Sequence, residues 1–377
     1  MQQILPGSTL GVLGGGQLGR MFSMAAKRMG YRVVVYTDGQ DSPAGQVSDC
    51  TIVSSYTDED ALSEFSRQVD VVTYEFENIP TKSLQVIEKV CPVRPGERAL
   101  ATAQHRFREK STVRDQGIPT ADFYLVQSLE DLEAAATKLN HSGILKTVSF
   151  GYDGKGQRRI TPESDLAEVW AELGQAESIL EELIDFEREV SVVGVRGLDG
   201  SFCCYGPILN HHENHILDVS VFPCPDIADQ VTNEGVEMTR TIMEALEAVG
   251  VLCVEFFHTG NGLVVNEIAP RPHNSGHLTI EGHATSQFEQ QVRTICGLPL
   301  GDVSFRPVAM ANLLGQHLDG VTAAGYSQLF SMPETHLHLY GKGRLAVDRK
   351  MGHITTIADE SSTAERNARR ARAALKS

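Results

Sequence analysis

The sequence predicts an α/β protein with an α+β central part, opening on a doubly wound parallel-sheet domain and closing in a small third region. Three observations carry this: the first hundred residues alternate apolar runs with helical stretches, the middle is dominated by strand signals, and proline-marked breaks at Pro92, Pro95 and Pro299 separate the parts. In the first part Leu10-Gly11-Val12-Leu13 opens into Gly14-Gly15-Gly16-Gln17-Leu18-Gly19, and a helix over 20–29 stops at Gly30. Residues 31–36 read as a β-branched second strand and 69–74 as a later buried one. The second part starts near Gln104-His105-Arg106, with helices over 108–116 and 129–139 around a Gly117-Ile118-Pro119 break. Strands follow over 143–147, 178–183, 189–195 and 201–205, then a helix over 233–249 and paired strands over 252–257 and 263–268. The third part adds a strand over 336–340 and a last helix over 363–375, whose Arg366, Arg369, Arg370 and Arg372 read as one exposed face.

Composition narrows the function classes. The chain has 377 residues, with 33 Lys and Arg against 49 Asp and Glu, a formal net charge of −16. That balance argues against broad affinity for nucleic acid or an anionic membrane. At 41% hydrophobic and 22% charged the chain is neither disordered nor fibrous. No apolar run approaches the ~18–20 residues of a spanning helix, and the first ten residues lack a secretory signal pattern. Seven cysteines without a Cys-x-x-Cys pair fit small buried hydrophobes in a reducing compartment. The expectation is a cytoplasmic enzyme with no nucleic-acid or membrane partner.

Four motifs carry chemistry. Gly14-x-Gly16-x-x-Gly19, with Asp38 after the second strand, fits a nicotinamide dinucleotide site or a tight strand–helix turn with no nucleotide. Gly151-Tyr152-Asp153-Gly154-Lys155-Gly156-Gln157 suits a flap whose N–H groups and ammonium meet phosphate, or a flexible turn, and lacks the order of a P-loop. Lys146, five residues earlier, ends an apolar run. Glu255 and Glu267 sit symmetrically about Asn261, so a hairpin with a three-residue Gly260-Asn261-Gly262 loop makes them cross-strand partners with Cβ atoms roughly 4.5–5.5 Å apart. Like charges so placed destabilise a sheet unless a divalent cation lies between them; a two-residue turn would break the pairing, and an exposed acidic edge is the alternative. Ala269-Pro270-Arg271-Pro272-His273-Asn274-Ser275-Gly276-His277 is a rigid segment suited to anions or a plain connector. His211-His212-Glu213-Asn214-His215 is a poor zinc site, because adjacent side chains of a strand face opposite ways. Lys342, Arg344, Arg349 and Lys350 form a basic cluster that is either a solvated face or a phosphate contact.

Together with Tyr74-Glu75-Phe76-Glu77-Asn78-Ile79-Pro80 and Leu339-Tyr340-Gly341-Lys342, these blocks resemble the ATP-grasp superfamily and, within it, the 5-(carboxyamino)imidazole ribonucleotide synthases of purine biosynthesis. The resemblance covers nearly the whole chain. It implies a pre-ATP-grasp domain over 1–104, a two-lobed ATP-grasp module over 105–300 (a small lid lobe over about 115–185, a larger lobe over about 186–300) and a small C-terminal domain over 301–377. The implied reaction carboxylates 5-aminoimidazole ribonucleotide with ATP and bicarbonate through carboxyphosphate, releasing ADP and phosphate. By the same resemblance Arg106, Lys146, Gly151, Tyr152, Asp153, Gly154, Lys155, Gly156, Gln157, Glu181, Glu182, Leu183, Ile184, Glu189, His212, Asn266 and Glu267 would surround ATP. Glu255 and Glu267 would hold Mg²⁺, or Mn²⁺ in its place. Gln17, Leu18, Glu75, Asp153, Arg271, His273, Lys342 and Arg349 would line the ribonucleotide site, with Arg271, Lys155 and Asp153 nearest the chemistry. A homodimer is implied as well. The chain departs from the family pattern at Val148-Ser149-Phe150, at Gln291 where histidine is expected, and at Asp348 where glycine is commoner. Other ATP-grasp enzymes, a formate-dependent transformylase or a biotin carboxylase, fit the flap but not the Tyr74 and Asn266 blocks. A nicotinamide-dependent dehydrogenase leaves the flap and glutamate pair unexplained, and nothing missing from the metal or flap residues favours a non-catalytic regulator.

Overall fold

The computed structural model describes residues 3–149 and 156–376, so Gly151, Tyr152, Asp153, Gly154 and Lys155 lie outside the described residues. The N-terminal sheet is parallel and built from β1 (Thr9–Leu13), β2 (Arg32–Thr37), β3 (Cys50–Val53) and β4 (Val71–Tyr74), in the order β3-β2-β1-β4. Its central strands are buried on both faces, which is why Val33, Val34, Val35 and Tyr36 form an unbroken apolar run. Helix Gln17–Arg28 covers one face with Leu18, Met21, Phe22, Ala25 and Ala26, a 3–4 residue spacing. It begins three residues before the expected start because the glycine turn delivers the chain straight into it.

The second sheet holds β5 (Phe123–Val126), β6 (Gly143–Thr147), β7 (Gln157–Ile160) and β8 (Ser178–Glu182), antiparallel in the order β5-β8-β6-β7. Helices Leu129–Lys138 and Leu166–Glu172 pack on it through Leu132, Ala135, Ala136 and Trp170.

The third sheet comprises β9 (Arg188–Arg196), β10 (Phe202–Glu213), β11 (Ile216–Phe222), β12 (Gly250–Thr259), β13 (Gly262–Ala269), β14 (Val308–Leu314), β15 (Thr335–Leu339) and β16 (Lys350–Ile357). The order is β13-β12-β9-β10-β11-β14-β16-β15, so the C-terminal strands extend the large central sheet through β11 and β14. Strand β10 runs well past the expected 201–205, because Gly206-Pro207 is absorbed as an irregularity between Tyr205 and Ile208. The helix expected over 233–249 is Asp229–Ala245, closed off by left-handed backbone at Glu247 (φ 51°) and Gly250 (φ 138°).

Two contacts fix the parts around the site. Helix Gln287–Ile295 inserts Phe288, Val292 and Ile295 into the N-terminal core. From it Gln291, the residue standing where histidine is expected, accepts from the Val251 N–H at 2.6 Å and donates to Thr73 Oγ1 at 2.8 Å. The last helix, Ser361–Ala374, is not the freely exposed arginine face the sequence suggests. It buries Ala364, Ala368, Ala371 and Ala374, and Arg369 (2.9 Å) and Arg372 both hold Asp218 on β11.

Candidate active site

The glycine turn already has an anion. Gly16 and Gly19, at the start of helix Gln17–Arg28, donate their N–H groups to the two carboxylate oxygens of Glu75, the latter at 2.8 Å. This is the position where a dinucleotide pyrophosphate would lie in a nicotinamide enzyme. A Cβ on Gly14 would stand 2.2 Å from Glu75 Cγ, and one on Gly16 2.6 Å from Glu75 Oε1, so the glycines make room for a carboxylate of the chain itself. The dinucleotide alternative therefore loses its site. Burial raises the Glu75 carboxyl, with both N–H groups, Arg271 and Lys342 acting against that rise.

The β12–β13 hairpin pairs Glu255 directly with Glu267, by a different route from the one expected. The loop has two residues, Gly260 and Asn261, between the paired Thr259 and Gly262. Alone that turn would put the glutamates out of register. A bulge at Asn266, opposite the Glu255–Phe256 step, adds one residue to β13 and restores the pairing. The repulsion is balanced within the chain: His273 Nε2 lies 3.0 Å from Glu255 and Arg106 lies 3.4 Å from Glu267. Burial would push the Glu255 carboxyl up, but His273 and His212 offset it and hold it well below the usual range. Burial opposes a charge on His273, but Cys253 and Glu255 outweigh it and raise the imidazole to about 10, while Nδ1 faces Ser275 Oγ at 2.9 Å.

Beside the pair, Lys146 at the end of β6 meets Glu181 at 2.8 Å, and Lys110 approaches the same oxygen at 3.5 Å. Lys110 also donates to the Asn266 carbonyl (3.1 Å) and Thr120 Oγ1 (3.2 Å), tying helix Arg106–Asp115 to β13. Burial would raise Glu181, but Lys146 and Lys110 overcome it and lower the carboxyl. Glu109, the neighbour of Lys110, accepts the Ile268 N–H and is raised by burial and by Glu267. Gln157 pairs with Lys146, and Gly156 accepts the Thr147 N–H at 3.0 Å. Glu182, Leu183 and Ile184 form the exposed to half-buried exit from β8. Glu189 lies 3.2 Å from His212 Nδ1 on the neighbouring strand. His211 turns the other way, to Glu365, so the histidine run forms no shared ligand set.

A cavity of about 200 Å³ opens next to the glutamate pair, lined by Gln17, Leu18, Glu75, Phe76, Arg271, His273, Asn274 and Lys350. Five of the eight residues expected at the ribonucleotide site meet there. Arg271 is held by Glu77 at 2.5 Å, while Arg271 Nε and Asn274 Nδ2 are buried without a partner among the described residues, as is Glu181 Oε1. Lys342 stands at the margin, donating to the Lys350 carbonyl at 2.7 Å, and burial with neighbouring Arg349 lowers its ammonium to about 8. Arg349 reaches Asp41 at 3.3 Å, and Asp348, with φ 62°, makes the turn before it that glycine commonly makes. Sequence reasoning passed over Lys110, Glu109, Phe76 and Glu77, and took Asn274 only as part of the 269–277 segment. The Glu109-Lys110 dipeptide reads as helix surface, and only its burial against β13 distinguishes it; Phe76 and Glu77 lie inside the Tyr74 block and were open to discovery.

Comparison with known proteins agrees along the chain. Residues 7–104 match the ribonucleotide synthetase preATP-grasp domain, 111–288 the ATP-grasp domain, and 308–367 the phosphoribosylaminoimidazole carboxylase C-terminal domain. N5-carboxyaminoimidazole ribonucleotide synthase of Brucella melitensis is 41% identical over 93% of this chain and 97% of its own length. The bifunctional purine synthesis protein purC/E of Dictyostelium discoideum is also 41% identical over 93% of the chain, which spans only 37% of that longer protein. The ADP complex of an N5-carboxyaminoimidazole ribonucleotide synthetase superposes with a TM-score of 0.93 at 41% identity, covering 98% of both chains. The Aspergillus clavatus N5-carboxyaminoimidazole synthase, in complex with ADP and 5-aminoimidazole ribonucleotide, gives a TM-score of 0.87 at 29% identity over 98% of both chains. With glycine turn, glutamate hairpin and cavity arranged on the same frame, this chain belongs to the N5-carboxyaminoimidazole ribonucleotide synthase family of ATP-grasp enzymes.

Proposed function

We infer that the chain performs its family's reaction: it carboxylates the amine of 5-aminoimidazole ribonucleotide to N5-carboxyaminoimidazole ribonucleotide with ATP in purine biosynthesis. One observation supports the division of labour most directly. His273 lines the cavity while its Nε2 lies 3.0 Å from Glu255, so a ribonucleotide in the cavity and phosphates at the glutamate pair share one imidazole.

Bicarbonate is a poor electrophile. Transfer of the γ-phosphoryl group to it forms carboxyphosphate, the ribonucleotide nitrogen then bonds to the carboxyl carbon or to the CO₂ released from it, phosphate leaves, and the nitrogen gives up a proton. Arg106 and Lys146 would neutralise the triphosphate during transfer, where positioning and charge provide most of the catalysis. Glu181 to Ile184, Glu189 and His212 would seat the nucleoside. Glu255 and Glu267 fit a magnesium ion, being directly paired carboxylates beside the Asn266 bulge. Held by these two carboxylates, magnesium would supply positive charge against the phosphates and lower their repulsion during transfer. Gln17, Leu18, Glu75, Arg271, His273, Lys342 and Arg349 would hold the ribonucleotide; Arg271, with Lys155 and Asp153 from the flap, would face the reacting groups and help exclude water from carboxyphosphate.

No helix among the described residues is long and apolar enough to cross a membrane, which fits a cytoplasmic location. A homodimer is proposed too, and the exposed Leu5 and Met24 of the N-terminal unit offer apolar surface for it. The test is ADP release from Mg-ATP and labelled bicarbonate with and without 5-aminoimidazole ribonucleotide. Ribonucleotide-stimulated release with matching label in the product supports the reading; ATP turnover without incorporation points to another acceptor.

A further inference from the structure

Behind His273 runs a hydrogen-bonded chain with no part in the reaction as described. Ser275 Oγ lies 2.8 Å from Ser191 Oγ on β9, Asn210 Nδ2 on β10 donates to Ser191 Oγ at 2.9 Å, and Ser220 Oγ on β11 donates to Asn210 Oδ1 at 2.8 Å. All four residues are buried, Asn210 at 6% exposure and the serines at 0%. Four buried polar side chains in line, three on neighbouring strands and one on the turn that follows β13, are costly unless each is satisfied, and here each is.

Asn210 donates to Ser191 and accepts from Ser220, so both ends of its amide are fixed. The chain ends on the ring: Ser275 Oγ faces His273 Nδ1 at 2.9 Å, while Nε2, on the other side of the ring, faces Glu255 at 3.0 Å. Gln287 holds the same residue from the other side, accepting the His273 N–H at 2.9 Å and donating to its carbonyl at 2.7 Å. The main chain and the ring of His273 are thus fixed by separate devices.

We propose that Ser220, Asn210 and Ser191 are positioning residues that act through Ser275 to set the ring orientation of His273 for the ribonucleotide. The inference rests on the reading of His273 as a ribonucleotide-site residue. Ser220, the remote end of the chain, lies three hydrogen bonds from Ser275 and lines no part of the cavity.

The test uses Ser220→Ala, Ser220→Thr, Asn210→Ala and His273→Ala in the full chain. Steady-state KM is measured for 5-aminoimidazole ribonucleotide and for ATP, with ¹⁵N-histidine NMR to report the His273 ring nitrogens. Ser220→Ala should raise the ribonucleotide KM about fivefold, the weight of one buried hydrogen bond, and leave the ATP KM within about twofold by the same scale. It should shift the His273 ring-nitrogen resonances, and Ser220→Thr, which keeps the hydroxyl, should restore both. A purely structural role would lower thermal stability and active fraction while leaving either KM and the His273 resonances unchanged, and that result overturns the proposal. Ser220→Ala decides the matter if Asn210→Ala does not fold. If His273→Ala itself leaves the ribonucleotide KM unaltered, the site assignment has failed rather than the positioning chain.

Discussion

Lys110→Met isolates an interaction that the local sequence hides. Lys110 is 2% exposed, and its ammonium serves Glu181 at 3.5 Å, the Asn266 carbonyl at 3.1 Å and Thr120 at 3.2 Å. At an effective dielectric constant of about 20, the Lys110–Glu181 attraction is about 5 kcal/mol gross. Desolvation offsets much of it: burial lowers the Lys110 ammonium despite Glu181. The net cost of Lys110→Met comes from what stays behind, a buried carboxylate with Lys146 and the more distant Arg106 against it and a carbonyl without its Lys110 donor. Removing one partner of such a pair typically costs about 3–5 kcal/mol, and the surviving Lys146 contact places the expectation near the lower figure. Denaturant unfolding of the ATP-grasp region would measure it, alongside the KM for ATP, which should rise because Glu181 then pulls harder on Lys146. Adding Glu181→Gln should recover most of the lost stability without recovering activity, since the orphaned charge disappears. The reasoning fails if Lys110→Met unfolds like the parent, or if the second substitution makes matters additively worse.

Three further outcomes are expected. Glu267→Gln removes one charge of the glutamate pair and should lower kcat by about 10²–10³, the range for a charge-stabilising group; near-parent turnover with magnesium would remove Glu267 from the metal site. Lys342→Ala should raise the ribonucleotide KM far more than the ATP KM. Because Lys342 is lowered to about 8, the parent should lose ribonucleotide affinity as pH rises through that value and the cation is lost, and Lys342→Arg should shift this limb upward; a KM flat to pH 9.5, on the order of one unit above that ionisation, contradicts the assignment. Burial acts to raise Asp218, but Arg372 and Arg369 more than compensate, so its folded pKa is depressed. Its contribution is therefore complete above the unfolded carboxyl range and is lost as pH falls through the folded value. Asp218→Asn should cost about 3 kcal/mol at pH 7, with the gap to the parent closing in acid; an unchanged gap at low pH would refute the linkage.

Much of the candidate site was legible because its chemistry is written in short contiguous segments. The Gly14–Gly19 turn, the Arg271-Pro272-His273 segment and the strands bearing Glu255 and Glu267 each announce themselves through local pattern, and their helices and strands fall close to the expected positions. Local pattern could not show what fills the glycine turn. Glu75 is 59 residues from Gly16, and only the pairing of β1 with β4 sets its carboxylate at the helix N-terminus. Nor could it show the bulge at Asn266, since hairpin register is decided by the ladder to the neighbouring strand as well as by the turn.

The sequence by itself determined the alternating strand–helix opening, the three-part order and where the glycine-rich and charged segments lie, because periodicity, glycine placement and charge are local properties. The tertiary structure alone decided which of these residues meet. Lys110 became an internal cation through packing against β13, the C-terminal strands joined the large sheet through β11, and four polar residues from three strands and one loop lined up behind His273. Such contacts join residues tens to hundreds of positions apart, where the free energy of burial, rather than any local preference, selects the partner.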